Sequence, residues 1–131
     1  MKLKFAVSAA TAFFAAVAAW ASSLIVTSTG ATYTPDSGSV LEFHDGKLTQ
    51  DIEVADLTFQ SGAITLDLNG WNLSCSGSNF AEGSKITNSD ESLSVTTFTN
   101  SRFGDSPFKN VTFSGNVKLV INGKSTKTNR L

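Results

Sequence analysis

Asp56-Leu57-Thr58-Phe59-Gln60-Ser61-Gly62-Ala63-Ile64-Thr65-Leu66-Asp67-Leu68-Asn69-Gly70 decides how this chain is read. Apolar and polar residues alternate on both sides of a Ser-Gly pair, as Leu57-Thr58-Phe59 before it and Ile64 to Leu68 after it. A period of two belongs to a strand that buries one face and wets the other. The phrase returns, one residue shorter, at Asn110-Val111-Thr112-Phe113-Ser114-Gly115-Asn116-Val117-Lys118-Leu119-Val120-Ile121-Asn122-Gly123.

The same alternation recurs at Ile52-Glu53-Val54 and Leu93-Ser94-Val95. Turn chemistry separates the runs: Thr34-Pro35-Asp36-Ser37-Gly38, Asp45-Gly46, Ser76-Gly77 and Asn122-Gly123. No window beyond the N-terminus shows apolar spacing of three and four, so the chain reads as all-β. Ile64, Ile86 and Phe108 open strand-like segments at intervals of 22 residues. Units of that length suit a short right-handed parallel β-solenoid (a β-helix) with coils of about 22 residues. One coil cannot bury its inward face alone, whereas stacking sets Leu on Leu and Phe on Phe. Asn69-Gly70 favours the alternative, an antiparallel β-sandwich, because it is a strong type I′ hairpin signal. Either way Leu57, Phe59, Ile64, Leu66, Leu68, Val111, Phe113, Val117, Leu119 and Ile121 are expected to share one core.

Residues 1–21 read as a signal peptide. Lys2 and Lys4 precede an uncharged, Ala-rich stretch over 5–19, and Ala19-Trp20-Ala21 supplies the small-x-small cleavage site before Ser22. That stretch is shorter than the roughly 20 residues a membrane-spanning helix needs. The expectation is a signal-peptide helix followed by one β-rich domain over 22–131, exported through the general secretory route, with no stable membrane span after cleavage. In that domain Ser, Thr, Asn and Gly number 17, 14, 9 and 10 of 110 residues, the profile of a polar, turn-rich extracellular surface. Its formal charge is −3, with eight Lys and Arg against eleven Asp and Glu, which argues against nucleic acid as a partner.

Little in the chain points to catalysis. Cys75 is the only cysteine, so no internal disulfide can form, and its neighbours Ser74, Ser76 and Gly77 offer no activating base. His44 is the only histidine and sits among Glu42, Phe43 and Asp45, too few ligands for zinc. Asp51 and Glu53 share a strand face and with Trp71 are the weak ligand candidates. Paired carboxylates serve glycosidases, but Lys47 is the only base near them in sequence. The reading assigns no catalytic residue, metal or cofactor. Charge is unevenly spread: residues 36–67 hold seven acids and one lysine, while Lys109, Lys118, Lys124, Lys127 and Arg130 follow the last acid, Asp105. Such asymmetry offers either charged edges that repel aggregation or head-to-tail self-association.

Ile64-Thr65-Leu66-Asp67-Leu68-Asn69-Gly70-Trp71-Asn72-Leu73-Ser74, followed by Gly83-Ser84-Lys85-Ile86-Thr87-Asn88-Ser89, resembles bacterial secreted β-helix proteins. In particular it is similar to the repeat-rich passenger regions of autotransporter-type adhesins, over residues 48–123. The resemblance implies a parallel β-helix at the cell surface and carries no catalytic residues with it. Such passengers run to hundreds of residues and end in a membrane barrel or sorting signal. Residues 123–131 resemble neither, so a fragment of a longer passenger is one expectation. The functional expectation is a non-enzymatic secreted or cell-surface β-solenoid with a structural or adhesive role toward a surface or glycan partner. The alternative is a carbohydrate-binding module or a fragment of a polysaccharide-active β-helix enzyme.

Overall fold

Among the described residues the chain forms ten strands. The computed structural model describes residues 22–99 and 109–121, and the backbone of 124–130. The strands are β1 (Ser23–Thr27), β2 (Gly30–Thr34), β3 (Leu41–Phe43), β4 (Ile52–Phe59), β5 (Leu66–Asp67), β6 (Leu73–Phe80), β7 (Ser84–Asn88), β8 (Ser94–Phe98), β9 (Val111–Ile121) and β10 (Lys124–Arg130). No helix occurs among the described residues. The expected signal-peptide helix, with Ala19 and Ala21, lies outside them, as do Phe103 and Phe108.

All ten strands form one curled mixed sheet whose two arms meet in β9. The second half of β9 pairs in parallel with β8, and that arm continues through β6, β4 and β1. The first half of β9 pairs in parallel with β7, which pairs in parallel with β5. Antiparallel strands lie outside the parallel ones: β2 and then β3 beyond β1, and β10 against β9. Parallel neighbours need crossover connections. The chain between β4 and β6 passes through β5, and that between β6 and β8 passes through β7. Among the described residues six of the nine pairings are parallel, which excludes a wholly antiparallel sandwich.

Register sets like on like. Val54, Cys75, Phe98 and Ile121 follow one another across β4, β6, β8 and β9, and Leu66, Ile86 and Phe113 do so in the other arm. Phe59, Phe80, Phe98 and Phe113 form a continuous ring contact, with centroids 5.5, 6.2 and 6.2 Å apart in turn. All four are buried. Each such ring stabilises the fold by about 1.5–3 kcal/mol through burial, and edge-to-face contact adds about 0.5–1.5 kcal/mol per pair. Of the expected core, Leu57, Phe59, Leu66, Leu68, Val111, Phe113, Val117 and Leu119 are buried, while Ile64 and Ile121 pack half-buried against it.

Three local expectations are corrected. Leu93-Ser94-Val95 runs in the opposite phase: Ser94, Thr96 and Phe98 face inward and Leu93 is 42% exposed. Seating Phe98 in the ring row decides this, since a period of two then carries Thr96 and Ser94 inward with it. Among the described residues their hydroxyls have no hydrogen-bond partner, a cost of about 1–3 kcal/mol each. The even 22-residue spacing is the second. Ile86 pairs with Leu66, not Ile64, and partners across the parallel pairings lie 20 to 33 residues apart. Ile64 falls instead in the link to β5, where its N–H donates to Thr27 O. Third, Asn69-Gly70 has the two positive φ values of a type I′ turn, 51° and 86°, yet makes no hairpin. It turns a corner between β5 and β6, and Gly70 N–H donates to Asn88 Oδ1 at 2.9 Å.

Candidate binding surface

The outward residues of β4, β6 and β8 also stand in rows. Glu53, Ser74 and Thr97 are register partners across the three strands. Beside them Asp51, Asn72 and Val95 are tied by hydrogen bonds: Asn72 N–H donates to Asp51 Oδ1 at 2.9 Å, and Val95 N–H donates to Asn72 Oδ1 at 2.8 Å. Strands about 4.8 Å apart thus present a polar lattice whose members are held by the backbone.

Two hollows open on this face. One, of about 680 Å³, is lined by Tyr33, Asp51, Glu53, Asn72, Ser74 and Thr97 among others. The second, about 550 Å³, is lined by Ser22, Tyr33, Pro35, Asp36, Glu53 and Ser76 among others. Sharing Tyr33 and Glu53, they make one trough across the sheet, walled on one side by the end of β2 and the Pro35-Asp36 turn. Ser22, expected as the first residue after cleavage, closes one end. It is buried; its Oγ accepts Ala55 N–H at 2.9 Å, and its carbonyl accepts the N–H groups of Ala55 and Asp56, both at 3.2 Å.

The trough carries three carboxylates, Asp36, Asp51 and Glu53, with hydroxyls, an amide and one tyrosine, and no Lys, Arg or His lines it among the described residues. It can accept hydrogen bonds from a hydroxyl-rich or cationic ligand and stack a tyrosine against it. Asp51, just before β4, and Glu53, on it, both line the first hollow. Trp71 does not join them: it stands 41% exposed at the corner between β5 and β6, its N–H donating to Leu68 O. His44 is exposed beside Phe43, Asp45 and Lys47. Among the described residues no three His, Cys, Asp or Glu side chains group as metal ligands. Cys75 lies in the core, where burial and then the charge of Asp56 push its thiol up to about 12. Tyr33, Asn72 and Thr97 were not singled out as ligands by sequence. They lie 25 or more residues apart, and only strand register brings them together.

Comparison with family models, with curated proteins and with solved structures returns no match.

Proposed function

We propose that this chain is a non-enzymatic module of a secreted or cell-surface protein, a short parallel β-solenoid with an adhesive or structural role, and that the trough is its contact surface. In-register parallel strands support the solenoid. So do hydrogen bonds linking residues 21, 22 and 23 apart on successive turns: Asn69 to Leu48, Ser89 to Asp67 and Val95 to Asn72. Residues 1–21 support export, and the resemblance to adhesin passengers points to the same class of protein. The observation that carries the contact role is the trough itself: fixed acceptors and a tyrosine across three strands, with no Lys, Arg or His among its described lining residues. A glycan surface, rich in hydroxyls, suits such a lining.

The pairing of Asp51 with Glu53 in one trough favours a second reading, a polysaccharide-active enzyme. One experiment separates the two. The exported protein is titrated against a panel of neutral and acidic polysaccharides while reducing-end release is followed. Tyr33→Ala and Glu53→Gln are expected to weaken binding at least tenfold, with no product from any form. Turnover that vanishes in Glu53→Gln would overturn the non-enzymatic reading, and binding untouched by both substitutions would remove the trough from it.

A further inference from the structure

Charge in this fold is sorted along the sheet. β3 and β10 end one continuous row, β3-β2-β1-β4-β6-β8-β9-β10, and among the described residues each pairs on one side only. At the β3 end, residues 31–47 hold Asp36, Glu42 and Asp45 against Lys47, a formal charge of −2 with His44 neutral, and Asp51, Glu53 and Asp56 add three more acids at β4, three strands further in. All six carboxylates are exposed. At the β10 end, residues 109–130 hold Lys109, Lys118, Lys124, Lys127 and Arg130 and no acid, a charge of +5.

Seven strand steps of about 4.8 Å hold the two ends roughly 34 Å apart. Screening falls off over about 10 Å at 0.1 M salt, so the ends of one molecule cannot neutralise each other. Like ends of two molecules repel, which disfavours a closed two-fold dimer. Unlike ends attract, and each presents a strand with an unpaired side. We propose that the β3 end of one copy docks on the β10 end of the next, giving a head-to-tail row of molecules that does not close. β3 is only three residues long, so strand pairing contributes little and the contact is electrostatic and salt-sensitive.

Sedimentation of the exported protein tests this. At about 20 mM salt the protein is expected to form a concentration-dependent ladder of oligomers, which dissolves at about 0.5 M. Glu42→Lys/Asp45→Lys weakens one end and Lys118→Glu/Lys127→Glu the other, and each double variant alone is expected to stay monomeric. Mixed, they should form a one-to-one dimer and stop, because one intact acidic end meets one intact basic end. A protein that stays monomeric at low salt and hundreds of micromolar would overturn the proposal. So would a dimer indifferent to salt, or one that mixing fails to restore. Glu42, Asp45 and Lys118 are not among the described residues that line the trough, so lost assembly with intact glycan binding leaves the proposed function standing.

Discussion

Residues 56–70 and 110–123 read almost alike, yet the fold uses them differently. The first begins in β4, leaves the sheet through a link in which Ala63 N–H donates to Gln60 O, and enters the other arm as β5. The second is one strand, β9, that starts beside β7 and ends beside β8, crossing between the arms in the opposite direction. The second phrase is one residue shorter and stays in strand from Val111 to Ile121, so Ser114-Gly115 lies within β9 where Ser61-Gly62 is a turn in the link of residues 60–65. Alternation therefore specifies which residues are buried, while link length and neighbouring strands specify where each strand goes.

The largest test of that contrast is the pair of phenylalanines that sit alike in both phrases. Phe59 and Phe113 are buried in the same ring row. Phe59→Ala and Phe113→Ala should each cost about 3–5 kcal/mol in denaturant unfolding. The exposed neighbour Thr112→Ala should stay within about 0.5 kcal/mol. A small loss at Phe113 alone would mean that β9 does not bring its first half into the core.

The glycines sharpen the contrast further. Gly62 and Gly115 both have positive φ, +79° and +83°. A Cβ on Gly62 meets nothing, whereas on Gly115 it would lie 2.5 Å from the Asn88 carbonyl oxygen. Gly62→Ala should therefore cost only the left-handed backbone penalty of about 1 kcal/mol. Gly115→Ala must also part β9 from β7 and should lose more than about 2 kcal/mol. Equal losses would make the two Ser-Gly pairs equivalent.

The first residue of each phrase supplies the smallest effect. The charge of Asp56 is felt at Cys75, whereas Asn110 in the second phrase is neutral and donates to Phe80 O. The Cys75 thiol is held neutral in the fold up to about 12. In the unfolded chain it ionises near 8.5. Its stabilising contribution is full below that value and falls as pH rises toward 12. Between pH 8.5 and 9.5 the protein should lose up to about 1.4 kcal/mol more than Cys75→Ala loses over the same interval. Parallel pH profiles for the two proteins would show Cys75 to be solvated.

The core was legible where alternation and residue size agreed, as at Leu57, Leu66 and Val117. It failed at β8, where Leu93 and Val95 outweigh Ser94 and Thr96 in any local reading. There the phase is set by Phe98, four residues away, through partners on β6 and β9. Asn88 was illegible for another reason. A polar residue beside Ser89 and Asp90 reads as an exposed turn, yet it is buried. Its Oδ1 accepts from Gly70 and Asp90, and its Nδ2 donates to Ser92 O and Asn116 O. Those partners lie up to 28 residues away, and without them burying an amide would be costly. The acidic half of the trough was visible as Asp51 and Glu53. Tyr33, which joins its two hollows, was not, because β2 reaches the site only by pairing with β1 beside β4.

In-register parallel stacking is the claim on which the rest depends, and the lone cysteine gives direct access to it. Val54 and Cys75 are register partners on β4 and β6, both inward and both buried. Parallel partners stand about 4.8 Å apart, within the Cα separation a disulfide accepts. Val54→Cys should therefore bridge to Cys75 on oxidative refolding, as read by mass spectrometry of the linked peptides, whereas Ala55→Cys, one position out of register, should not. A bridge from residue 55 in place of residue 54, or from neither, would contradict the stacking of β4 on β6.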